Sequence, residues 1–173
     1  MGGVPPAGQA RLGRFLEALQ RAETALAVVA MLLVVAALVS DLAGRELLGQ
    51  GIFGAQRFAV HATFVGGMLG FVVATGRGAH LRITATDHLV PLALAPLVER
   101  IGHVVSALIL VALAWYAARF VAETWRIGER SVTLGIPIWP MQLALPYAFL
   151  SAALRYACYA VLPALKPAAP EGA

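Results

Sequence analysis

Charge is what this sequence has least of. Asp, Glu, Lys and Arg make up 13% of its 173 residues, against about 25% in an ordinary soluble domain. With 60% hydrophobic residues and a mean hydropathy of +0.80, a soluble globule is excluded. Cysteine is nearly absent: Cys158 stands alone, which rules out an internal disulfide and a CxxC redox pair. It falls in an apolar run and reads as a small packing residue. Acid is also missing from the apolar runs, since Asp41, Glu46, Glu99, Glu123 and Glu129 sit near their ends. An ion-coupled carrier needs a buried carboxylate or unwound Gly-rich helices, and neither is expected. The pI of 9.8 does not point to nucleic acid, because the Lys and Arg residues are scattered and flank the apolar runs, as membrane anchors do.

What the chain has in abundance is long apolar sequence. Residues 24–40, 52–75, 97–122 and 139–162 each approach the roughly 20 residues needed to cross a bilayer as a helix. Backbone polar groups in lipid must be satisfied within the element, so helices are the expected form. The fold class predicted is an all-α membrane protein with four transmembrane helices. The first run is long for a signal peptide, and no clean A-x-A site follows it. An uncleaved helix is expected.

Before that run, Leu12, Phe15, Leu16 and Leu19 recur at helical spacing, while Arg11, Arg14, Glu17 and Arg21 take the other face. This pattern predicts an N-terminal interfacial amphipathic helix. Residues 1–10 and the tail 164–173 are expected to be disordered, leaving 11–163 as a single membrane domain. The loop after the second run is the longest, and its middle has the pattern of a second interfacial helix. In the fourth run Pro140 suits a first helical turn, and Pro146 should kink the helix or mark an interface.

With both termini inside, Arg11, Arg14, Arg21, Arg77, Arg82, Arg100 and Lys166 fall on the cytoplasmic side, and Arg45, Arg126 and Arg130 outside. That bias predicts N-in, C-in. Arg57, Arg119 and Arg155 lie in or near spans and do not enter the count.

Candidate chemistry is sparse. Arg57 and His61 share a face at the start of the second run; Arg57 is expected to snorkel and His61 to bond a neighbouring helix. Haem would need two histidines at one depth, but His61 and His103 are offset by roughly 9 Å along the membrane normal. No zinc pattern occurs, so no cofactor, metal or enzymatic activity is expected. Packing is better signalled. Ala62, Gly66, Gly70 and Ala74 form a small-residue stripe containing a GxxxG, which lets a helix approach closely, within the chain or from a partner. Trp139, with Gly135, Pro137 and Pro140, marks the outer interface.

The stretch Gly76–Ile83 (GRGAHLRI), carrying Gly76, Gly78, His80 and Ile83, follows a span with glycines at 66 and 67. Near the end come Thr133-Leu134-Gly135-Ile136-Pro137, Trp139 and Leu145-Pro146. This ordered set resembles the small membrane subunit of tripartite ATP-independent periplasmic (TRAP) transporters, the DctQ-like small permease, over about residues 15–162. The family often has Trp and a pair of Glu at the start of the second span, where this chain has Phe53-Gly54-Ala55-Gln56-Arg57.

The resemblance implies an accessory role. A large membrane subunit would hold substrate and sodium sites, and a periplasmic substrate-binding protein would capture an organic acid. The small subunit would scaffold the large one in the lipid bilayer of the bacterial inner membrane. From the residue pattern itself, Ala62, Gly66, Gly70, Ala74 and Pro146 are the candidate helix-packing or partner interface, and Arg11, Arg14, Arg77, Arg82 and Trp139 the candidate interfacial anchors. The alternative reading is a self-contained small homo-oligomeric transporter or channel, its pore lined by His61, Ser106 and backbone groups.

Overall fold

The computed structural model describes residues 7–77, 95–132 and 134–163. Five helices occupy them: α1 (Ala7–Leu48), α2 (Ala55–Gly76), α3 (Ala95–Ile127), α4 (Trp139–Gln142) and α5 (Ala144–Val161). Outside the helices, the described residues contain one isolated antiparallel bridge, between Arg130 and Pro137. Three helices, α1, α2 and α3, are long and apolar enough to cross a membrane. The apolar loop segment predicted as a second interfacial helix lies outside the described residues.

The expected N-terminal interfacial helix is not a separate element. Arg11–Glu23 forms the opening turns of α1, which runs 42 residues without interruption. Nothing between Ala7 and Leu48 breaks a helix, since no proline occurs there and Ala and Leu dominate, the strongest helix formers. At 1.5 Å per residue α1 is about 63 Å long, twice the roughly 30 Å hydrocarbon core.

The fourth apolar run is split. Leu143 separates α4 from α5 in a helical backbone conformation, so the two are nearly one rod. Pro146 explains the break, because it has no N–H to bond the carbonyl four residues back and its ring crowds that carbonyl.

α1 packs on α2, α2 on α5, and α5 on α3. Along α1 the buried positions Leu16, Glu23, Ala30, Val34, Asp41 and Gly44 are joined by half-buried Ala27 and Ala37. Spacings of three and four make a narrow seam like that of a coiled coil. α3 repeats the device with Leu110, Ala114, Ala117, Val121 and Thr124. Small residues dominate both seams, so backbones come close. At the centre, Leu110, Ala152 and Ala153 are buried with Phe71, Phe149 and Tyr156 around them; Phe71 and Phe149 meet edge-to-face at 6.0 Å. The outward faces of α1 and α3, including Leu26, Leu32, Val39, Leu108 and Trp115, are exposed and apolar.

The link from α3 to α4 closes on itself. The Gly135 N–H donates to Ser131 O at 2.8 Å, and the Ser131 N–H to Ile136 O at 2.9 Å. Gly135 turns the chain at φ 67°, a conformation that costs glycine little.

The small-residue stripe on α2 divides. A Cβ on Gly66 would lie 3.3 Å from Met31 Sδ and 3.4 Å from Ala30 Cβ, whereas at Gly70 it would meet open space. Gly66→Leu is therefore expected to lower stability by about 1–3 kcal/mol through overpacking. Gly70→Leu should leave it unchanged, as checked by thermal unfolding of both variants in one detergent.

Candidate functional site

In α5, Tyr147, Ser151, Arg155 and Tyr159 recur every four residues and so share one face. An arginine buried among apolar side chains demands a partner, because an unpaired buried guanidinium is costly. Arg155 is 2% exposed and its partner is Glu23 of α1, which is 0% exposed. The Arg155 Nη2 donates to Glu23 Oε2. The other carboxylate oxygen, Oε1, accepts from Ser151 Oγ at 2.6 Å and from Tyr147 Oη at 2.9 Å. Three donors from one helix thus engage both oxygens of one carboxylate from another. In a site of low dielectric such charge-assisted bonds are strong, and the loss of either charge is costly.

The same node receives the end of α2. Gln20 Nε2 donates to Val73 O at 3.0 Å. A Cβ on Gly76 would collide with Gln20 Oε1 and Arg155 Nη1. Gly76 is the first residue of the GRGAHLRI stretch, and here it is the gap into which the α1 and α5 side chains fit. Gly78, His80, Arg82 and Ile83 lie outside the described residues.

A second polar cluster sits at the opposite end of α1. Asp41, 5% exposed, accepts from Arg45 Nε at 3.1 Å and from Gln56 Nε2 at 3.4 Å, and Arg45 Nη2 lies 3.0 Å away. Gly51, Ile52, Gly54 and Arg57 complete an open cleft around it. His61 does not bond a neighbouring helix as expected. Its Nδ1 lies 2.6 Å from the Arg57 carbonyl one turn back. His103 sits toward the other end of the bundle, its ring 5.7 Å from Tyr156 and 6.1 Å from Tyr159. The two histidines do not come together, and the described residues contain no group of three or more His, Cys, Asp or Glu placed to hold a metal.

Of the residues singled out from sequence, Gly66 packs within the chain. Ala62, Ala74 and Pro146 are half-buried, and Gly70 is exposed. Arg11, Arg14 and Arg77 are exposed and Trp139 is half-buried. The node itself was missed. Glu23 closes the segment whose spacing predicts an interfacial helix, and the apolar runs carry no acid away from their ends. The stripe at 147, 151, 155 and 159 was the available signal, because an arginine on such a face requires an acid at its own depth.

A chain of three candidate spans, with narrow small-residue seams and a buried ion pair joining two helices, is a helical membrane protein. A family model for the tripartite ATP-independent periplasmic transporters, DctQ component, matches residues 31–165, and the chain belongs to that family. No curated protein matches the chain.

Removing one member of the buried pair strands the other. Glu23→Leu or Arg155→Leu alone is expected to cost about 3–5 kcal/mol, and the double variant clearly less than the sum. Gly76→Val should cost about 1–3 kcal/mol by displacing Gln20 and Arg155. Unfolding in detergent, run as a double-mutant cycle, checks all of these.

Proposed function

We propose that this small TRAP subunit is an accessory, non-catalytic scaffold. It supports a large transport subunit that imports an organic acid with a sodium gradient, the acid being delivered by a periplasmic substrate-binding protein. The observation that carries the reading is the occupancy of Glu23. The fully buried carboxylate, the group an ion-coupled carrier would use, has both oxygens taken by donors of its own chain. At Asp41 one carboxylate oxygen is engaged, by Arg45 of the same helix and Gln56 of α2. Charges spent on helix pairing build a support, and the exposed apolar faces of α1 and α3 suit lipid and a membrane partner.

In this reading the subunit lies in the bacterial inner membrane as one domain, residues 11–163. The rod Trp139–Val161 forms the fourth span, and both termini are cytoplasmic. Glu23 and Asp41 bound a charge-free stretch, 24–40, of about 26 Å, close to the hydrocarbon thickness. Arg11, Arg14, Arg21 and Arg77 lie at the Glu23 end, and Arg45, Arg126 and Arg130 at the Asp41 end. The positive-inside rule puts the first group in the cytoplasm. The outward strip of α2 with Thr63, Gly67 and Gly70, all exposed, is the place where a partner helix can approach.

Purification of the tagged chain from its native membrane in mild detergent tests the proposal. A large polytopic protein should accompany it, and the chain alone in liposomes should drive no sodium-dependent solute uptake. Gly70→Leu should reduce the co-purified partner severalfold without loss of fold. A homo-oligomer that transports by itself would overturn the scaffold reading.

A further inference from the structure

α5 is the odd helix of the bundle. Its 18 residues include Pro146, Arg155, Tyr147, Tyr156 and Tyr159, and it is not among the helices apolar enough to cross a membrane. Yet it is the most enclosed: Ala148 and Ala152 are 0% exposed, Ala153 3% and Arg155 2%. A helix that carries a buried arginine therefore sits at the centre, between α2 and α3. Its buried donors Ser151 and Arg155, with the more exposed Tyr147, all end on the single carboxylate of Glu23. That carboxylate belongs to α1, which precedes α5 in the chain and is a candidate span in its own right.

We infer that Glu23 is the insertion determinant of α5: this last helix enters the bilayer as the ion-pair partner of the first. α1 inserts on its own apolar sequence and holds a carboxylate near the Thr24 end of its charge-free stretch. When α5 emerges, pairing with Glu23 removes the penalty of burying an unpaired guanidinium, and the Tyr147 and Ser151 hydroxyls close on the remaining oxygen. Without Glu23 the chain stops at three spans, and the segment after α3 stays on the outer side with the C-terminus. The inference uses the orientation proposed above, and the test reads that orientation separately.

The full chain is fused at its C-terminus to alkaline phosphatase, active only outside, and in parallel to green fluorescent protein, fluorescent only inside. Both are expressed in a bacterial inner membrane and normalised to pulse-labelled full-length fusion, so that later degradation does not enter. A fusion at Glu129 reports the α3–α4 link. In wild type the C-terminus should read inside and Glu129 outside; the reverse pair would overturn the proposed orientation, not the dependence on Glu23. Glu23→Ala should raise the phosphatase-to-fluorescence ratio at the C-terminus by about fivefold or more, with the Glu129 reading unchanged. Glu23→Ala/Arg155→Leu should bring it back to the wild-type value, because α5 then carries no charge to compensate. A wild-type ratio in Glu23→Ala would overturn the inference, as would failure of the double variant to restore it.

Discussion

One carboxylate organises the half of the bundle where α1, α2 and α5 meet. Glu23 is wholly buried, and a lone ionised group in such a place is unaffordable in lipid. Its occupancy by Arg155, Ser151 and Tyr147 makes the cost a constraint on shape. α1 must lie where it can reach α5, and α5 must present its polar stripe toward α1. The end of α2 must leave room between them. Gly76 provides that room, and Gln20 fastens the last turns of α2 through the Val73 carbonyl. Specificity of this kind is the return for a buried pair whose net stabilisation is small.

Between the polar nodes the helices are held by shape. Water does not drive helices together inside a bilayer, so close van der Waals contact has to. The α1 seam is lined by Ala27, Ala30, Ala37 and Gly44, and Gly66 of α2 meets it at Met31 and Ala30. Toward the other end of α1, Asp41 is held by Arg45 of its own helix and by Gln56 of α2. The result is a layered bundle. The large apolar side chains of α1 and α3 are left pointing outward, where lipid or a partner membrane protein can cover them.

Much of this was legible in the residues. Apolar run length determined the helical membrane class, since an unsatisfied backbone in lipid leaves no other local choice. The positions of α1, α2 and α3 follow from the runs, and the break before α5 follows from Pro146. The GRGAHLRI and TLGIP stretches pointed to the family that residues 31–165 match. The sequence did not separate Gly66 from Gly70, which look equivalent four residues apart. Which one meets α1 depends on the rotation of α2 about its axis, set by its neighbours. Nor did it show that Glu23 is buried. Amphipathic spacing from Arg11 to Glu23 predicts an interfacial helix, but α1 runs on unbroken and Glu23 turns inward.

By itself, then, the chain determined its solvent, its helices and its family, because these depend on local composition and short-range pattern. Tertiary structure alone decided the pairing of Glu23 with Arg155, 132 residues apart, the choice of Gly66 as the internal contact, and the fit of Gly76 around two side chains. Those depend on the order in which helices pack, α1 on α2 on α5 on α3. That order is fixed by matching buried charge and small-residue seams across the bundle, a long-range condition that no window of sequence contains.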